Sequence, residues 1–194
     1  MENEELWPAA AGDFRVCAMA RVVSENERAV GTGRRASHDR VFTDFQCPFC
    51  KSLAATVRQV LRERVDAVRV VVRHFPIERI HSGALGAAKA ATCAGAVGRF
   101  EPMHDLLYAS QDSLGIIPWA RLAAAAGITD TVDFQLCMGS AVAAEVIQQD
   151  TASARQVGVR GTPTVLVNDV VIPWTPTKAL LDSLIDSALS RRRR

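Results

Sequence analysis

Several features are missing from this 194-residue sequence, and each absence excludes a class of protein. No run of roughly 18 apolar residues exists that reads as a membrane-crossing helix. The most apolar-looking stretch, 83–98, is mostly Ala and Gly and carries Lys89. The start, Met1-Glu2-Asn3-Glu4-Glu5-Leu6-Trp7, is acidic and lacks the basic-then-apolar order of a secretory leader. An exported chain shown without its signal or anchor and a cytosolic chain read alike here. Lysine is scarce: only Lys51, Lys89 and Lys178 are present, and the other cations are arginines. The net charge is +2, and without the terminal run Arg191–Arg194 it turns to −2. A body this close to neutral argues against a nucleic-acid surface. The arginine run reads as a solvated end, with contact to an anionic membrane surface as the second reading. There is no second C-x-x-C, and His38, His74, His81 and His104 show no H-x₃₋₅-H spacing, so no zinc-type ligand set is expected.

What is present is ordinary globular material. Hydrophobic residues make up 48% and charged residues 23%, enough for a sizeable core without disulfide staples. The length suits one domain with an insertion. Residues 1–13 read as a lead-in, 14–23 as a strand, and 24–39 as a charged, Gly-rich loop or hairpin region. The run 40–45 reads as a strand entering the core, and Pro48 opens a helix, since proline is tolerated in a first turn. Leu53, Val57, Val60, Leu61 and Val65 give that helix an apolar stripe. Val-rich 67–75 reads as a buried strand. From 81 to about 157 Ala-rich helical patterns follow one another, broken near Gly98, Gly115–Pro118, Gly127 and Gly139, which predicts about four helices. Pro163–Asn168 reads as a strand, Asn168-Asp169 as a tight turn, Val170–Ile172 as its hairpin partner, and 177–190 as an amphipathic helix.

Cys47-Pro48-Phe49-Cys50 falls at the junction of a strand and a helix. The first cysteine sits where the first-turn N–H groups and the positive end of the helix dipole favour a thiolate. Cys50, one turn in, is expected to be more buried. The spacing puts both sulfurs on one side of the helix start, within bonding reach of each other and open to thiol–disulfide exchange. A structural bridge and half of a zinc site are the alternatives. The second signal is Gly161-Thr162-Pro163-Thr164 before a strand. Proline cannot donate to a sheet ladder and belongs at a strand's first residue. With the Thr162–Pro163 bond cis, the Thr162 backbone would face an extended substrate segment; an ordinary trans proline is the bland alternative.

Four segments, 42–51, 73–76, 103–105 and 159–164, together resemble the DsbA-like branch of the thioredoxin superfamily, in the right order across 40–190. The resemblance implies an α/β protein, a thioredoxin fold with an inserted all-helical domain. The thioredoxin-like part is expected at 14–78 and 158–190, the helical insertion at 79–157, and tails at 1–13 and 191–194. It implies thiol–disulfide exchange on unfolded or folding proteins, outside the cytoplasm, with a membrane or soluble redox partner recycling the cysteine pair. A cytoplasmic chain is the alternative. By position Cys47 would attack, Cys50 would resolve and Pro163 would be the cis-proline, with Pro48, Phe49 and Thr162 meeting the substrate. Some members carry a second disulfide in the helical block, so a Cys93–Cys137 bridge is one expectation and two small buried thiols the other. One departure stands out: where many thioredoxin-fold enzymes carry a buried acid six residues before the first cysteine, this chain has Val41. Asp44 is the nearest acid, and proton transfer to Cys50 has no obvious agent.

Cys17 reads as a buried free thiol, and His74 and His104 as structural histidines. The favoured activity is a disulfide oxidase acting as a monomer, with no cofactor, no metal and no nucleic acid. A reductase, a non-catalytic peptide-binding module using the groove beside Pro163, and a peroxide- or glutathione-linked enzyme are the alternatives.

Overall fold

The computed structural model describes residues 28–31, 40–65, 67–167 and 170–191. The strand expected at 14–23, Cys17, the Asn168-Asp169 turn and the arginines beyond 191 lie outside the described residues. Along the chain come β1 (Ala29–Val30), β2 (Arg40–Thr43), α1 (Pro48–Glu63), β3 (Val70–His74), α2 (Ala84–Ala96), α3 (Phe100–Ala109), α4 (Trp119–Ala125), α5 (Thr131–Gly139), α6 (Ala141–Gln156), β4 (Thr164–Val167), β5 (Val170–Ile172) and α7 (Lys178–Arg191). A 3₁₀ turn, Gln111–Ser113, follows α3.

The strands form one sheet in the order β1-β3-β2-β4-β5. β2 and β3 are parallel, with Val41 opposite Val72, and the helix α1 between them is the crossover that a parallel pair requires. The other pairings are antiparallel, and Val41 also faces Val165 of β4. Alternation along β2 splits the core between the two faces of the sheet. Val41 and Thr43 share a cavity wall with Leu53 and Val57 of α1. Phe42 turns the other way and packs with Leu166, Ala154 of α6 and Val159.

Three sequence expectations are corrected. The region 24–39 contains the strand β1, too short to show a pattern; it forms because β3 otherwise leaves an open edge, which Val72 N closes by donating to Arg28 O at 2.8 Å. Val65 does not extend the stripe of α1. Arg64 leaves helical geometry at φ −125° and ψ 48°, and Val65 lies beyond it, exposed. The block between β3 and β4, expected to hold about four helices, holds five. Its centre is α2, where Ala87, Ala90, Ala91 and Ala94 are all fully buried. A helix apolar all round belongs in the interior, and small side chains let its neighbours approach closely.

A buried ionic cluster ties α6 to the sheet. Asp150 accepts from Arg28 and from Arg73 Nη1 (2.6 Å), and the backbone N–H of His74 donates to it at 2.9 Å. Burial opposes its charge, but His74, Arg28 and Arg73 outweigh that and hold its carboxyl below the usual range. His74 is fully buried in β3, with Nε2 3.1 Å from Thr92 Oγ1. The Thr92 hydroxyl donates to Ala88 O, so it accepts from His74.

Candidate active site

β2 delivers the chain into the turn Asp44–Gln46, and α1 starts immediately after it. Cys47 is the N-cap of α1, extended at φ −76° and ψ 120°, and Pro48 occupies the first helical position, where no N–H is needed. Cys47 retains 5% exposure and Cys50 1%; both are thiols rather than a bonded pair. The Thr162–Pro163 bond is cis. The Cys47 thiol donates to the Thr162 carbonyl at 3.4 Å, so two segments 115 residues apart meet at the sulfur. The Thr162 hydroxyl is buried with no hydrogen-bond partner among the described residues. Phe49 points outward and is 65% exposed.

The two sulfurs have opposite electrostatics. A hydrogen bond from the Cys50 thiol is the largest influence on Cys47. Burial works against the thiolate, but the N–H of Cys50, the Thr162 side chain and the N–H of Phe49 add to its stabilisation, and the pKa falls from 9.0 to about 5. The N–H groups of Phe49 and Cys50 belong to the first turn of the helix that starts at Cys47, whose positive dipole end also favours a thiolate. Cys50 moves the other way: burial, then the neighbouring Cys47 sulfur, push its thiol well above the ordinary range. At neutral pH the pair therefore carries one thiolate, on Cys47, and one proton, on Cys50.

Residues without a sequence signature hold the Cys47 turn. Gln111, buried in the 3₁₀ turn, donates to Phe45 O (2.7 Å) and Cys47 O (3.0 Å). Gln46 accepts from Gly83 N at 2.6 Å. A Cβ at Gly83 would lie 2.7 Å from Leu114 O, so no side chain fits there. Asp44 is fully buried and points away from the role of a proton agent. Its Oδ1 accepts from Gln46 N (2.8 Å), and its Oδ2 accepts from Ile77 N (2.8 Å) and meets His81 Nδ1 (2.8 Å). Val41 stands in β2 on the same wall as Cys50 and offers no acid.

A family model described as Thioredoxin matches residues 24–187. The chain belongs to the thioredoxin family. It has the thioredoxin fold with a helical insertion between β3 and β4. A thioredoxin-like oxidoreductase from Silicibacter pomeroyi DSS-3 superposes with a TM-score of 0.69 at 27% identity, covering 88% of this chain and 98% of that one. The thiol–disulfide exchange protein alpha-DsbA2 from Wolbachia pipientis gives a TM-score of 0.68 at 19% identity, covering 93% and 99%. Among curated relatives, a Na(+)/H(+) antiporter NhaA 1 from Mycolicibacterium gilvum is 34% identical over 128 residues, 66% of this chain. The chain spans about a fifth of the length of the curated antiporters it matches, 21% for this one. Among the described residues no helix is long and apolar enough to cross a membrane.

The other predicted residues of this thioredoxin-family chain lie elsewhere. Cys93 of α2 and Cys137 of α5 are joined by a disulfide with a Cα–Cα distance of 5.9 Å. His74 belongs to the Asp150 cluster. His104 lies nearer the site than a purely structural reading suggests: it lines the cavity beside Cys50 and packs edge-on against Tyr108 at 5.0 Å. Among the described residues no three His, Cys, Asp or Glu side chains are placed to hold a metal ion.

Proposed function

We propose that this thioredoxin-family chain is a protein disulfide oxidase that passes a Cys47–Cys50 disulfide to folding polypeptides outside the cytoplasm. The opposite electrostatics of the two sulfurs carry the reading. A Cys47 thiolate exists only in the reduced pair, so whatever stabilises it favours reduction and makes the disulfide oxidising. A substrate thiolate attacks Cys47 Sγ, the Cys47–Cys50 bond breaks, and its electron pair leaves on Cys50 Sγ. A second substrate thiolate then attacks the substrate sulfur of the mixed disulfide, and Cys47 departs as its stabilised thiolate. The substrate gains a disulfide and the pair gains two electrons, which a membrane or soluble redox partner must remove.

Pro163, Thr162, Pro48 and Phe49 serve as the substrate-facing surface. The Thr162 carbonyl beside the sulfur supports this, because an extended polypeptide can add to it by strand-like hydrogen bonds. Trp174, 56% exposed, extends the apolar rim, and its neighbour Thr175 donates to Phe49 O at 3.4 Å. The Cys93–Cys137 disulfide supports an oxidising compartment, since cytoplasmic thiols are kept reduced. The thioredoxin-like unit is read as 14–78 with 158–190 and the insertion as 79–157, acting as a monomer.

The experiment is the reduction potential of the pair by equilibration with glutathione. A value above that of protein disulfide isomerase, about −180 mV, is expected. A value near about −270 mV, typical of thioredoxin, would replace the oxidase with a reductase.

A further inference from the structure

Breaking the Cys47–Cys50 bond leaves a buried sulfur that must receive a proton, and forming it requires that proton to go. The buried acid that commonly handles this in the fold is absent. Val41 occupies its place, and Asp44 has both carboxylate oxygens committed to Gln46, Ile77 and His81. Yet Cys50 is not surrounded by hydrocarbon alone. A cavity of about 20 Å³ beside it is lined by Thr43 of β2 and by His104 and Tyr108 of α3, among aliphatic side chains of α1 and the sheet. The hydroxyls of Thr43 and Tyr108 are hydrogen-bonded to each other. Thr43 and Cys50 line the same cavity.

Tyr108 has a second face. A groove of about 330 Å³ on the surface between α1 and α3 is lined by Tyr108 together with Lys51, Arg58, Arg62 and Asp105. Tyr108 and Arg58 therefore stand in the wall between the cavity and the groove. Ring packing fixes the phenol there. His104 lies edge-on to it at 5.0 Å, and Phe45 is tilted against it at 5.0 Å. His104 is held in turn by Asp105, whose Oδ1 is 3.1 Å from Nδ1.

We infer that the Thr43 and Tyr108 hydroxyls form a two-step proton relay between Cys50 and the solvent of the α1–α3 groove, in place of the missing acid. When a substrate thiolate attacks Cys47 Sγ, the Cys47–Cys50 bond breaks and its electron pair leaves on Cys50 Sγ. The Thr43 hydroxyl gives its proton to that sulfur and takes the Tyr108 proton. Tyr108 is reprotonated by groove water, so neither hydroxyl carries lasting charge. In reverse, Cys50 attacks Cys47 Sγ of a mixed disulfide, the substrate thiolate leaves with the bonding electrons, and the Cys50 proton exits through the same two hydroxyls. Hydroxyls suit this task because each is both donor and acceptor and can pass a proton without being ionised beforehand. Thr43 shares the cavity with the reacting sulfur, and Tyr108 acts through Thr43. The groups facing this path are Cys47 and Asp44 at the helix start, Arg58 of α1, and His104 and Asp105 of α3.

The relay rests on the roles proposed for Cys47 and Cys50, and one experiment separates the two claims. The reduced chain is mixed with excess aromatic disulfide that releases a coloured thiolate, and release is followed in time. The first thiolate reports attack by Cys47 and the second reports attack by Cys50 on the resulting mixed disulfide. Tyr108→Phe and Thr43→Val, both nearly isosteric, are expected to leave the first phase and its pH midpoint unchanged. They should slow the second phase roughly 100-fold or more, as for loss of a positioned proton carrier. Thr43→Ser, which keeps the hydroxyl, should recover most of the rate, and the second phase of the parent should slow in deuterated water more than that of the variants. A second phase unchanged in both variants overturns the relay. So does equal slowing of both phases, which marks the residues as packing only. A first phase that persists in Cys47→Ser and disappears in Cys50→Ser overturns instead the assignment of the two sulfurs.

Discussion

The pH dependence of the reduction potential is the most direct consequence of the site's geometry. Reducing the Cys47–Cys50 disulfide takes up two electrons and as many protons as the reduced pair binds. With Cys47 at about 5 and Cys50 pushed far up, the reduced pair holds two protons below pH 5 and one proton above it. The potential should therefore fall by about 59 mV per pH unit below that break and by about 30 mV per unit above it. A pair with an ordinary first thiol would bend only near 9.0. The vertical offset follows from the same numbers. At pH 7 the Cys47 thiolate is favoured about 100-fold, worth about 2.7 kcal/mol or about 60 mV of added oxidising strength. Cys50→Ala removes the hydrogen bond that contributes most, so the Cys47 pKa should rise. The assay is thiolate ultraviolet absorbance against pH for the parent and Cys50→Ala, with glutathione equilibria at several pH values for the parent. A Cys47 midpoint near 9, or a potential falling by about 59 mV per unit through neutrality, would refute the reasoning.

Four further outcomes are expected. Replacing Cys93 and Cys137 together by Ala opens a bridge spanning 44 residues; chain entropy puts the loss at about 4 kcal/mol, measurable by urea unfolding, while the Cys47 pKa stays put. Asp150→Asn leaves Arg28 and Arg73 facing an uncharged partner and should cost about 3 kcal/mol; an unchanged unfolding midpoint would show that the cluster does not hold α6 to the sheet. His74 is lowered from 6.5 to about 3, first by burial and then by the balance of Asp150 against Arg28 and Arg73. The unfolded chain binds its proton first, so stability is complete above pH 6.5 and is lost as pH falls from there toward 3, by on the order of 5 kcal/mol across the window; an imidazole resonance titrating near 6.5 in the folded protein would contradict this. Gln111→Leu strands the carbonyls of Phe45 and Cys47, which should cost about 2 kcal/mol and slow alkylation of Cys47; an unchanged alkylation rate would mean the turn holds itself.

Local features were legible from the sequence because they depend on neighbours along the chain. A cysteine before Pro48 at a strand-to-helix junction caps that helix wherever the rest of the protein lies, and the three-residue step fixes where Cys50 falls. The stripe of Leu53, Val57 and Val60 follows from helical period alone, and the valines of β3 from the composition of a strand covered on both faces. The two-residue β1 was not legible, since it exists only by pairing with β3. Neither was the function of Gln111, Thr43 or Tyr108. A polar side chain has no periodic signature, and its partner can be anywhere: Gln111 meets Cys47 across 64 residues, Tyr108 meets Thr43 across 65, and Thr162 meets Cys47 across 115. The sequence by itself determined that two sulfurs sit at a helix start, because backbone geometry does that within one turn. Only the tertiary structure decided what surrounds them, because burial and long-range hydrogen bonds, which set the charge on each sulfur, exist only once distant segments have packed together.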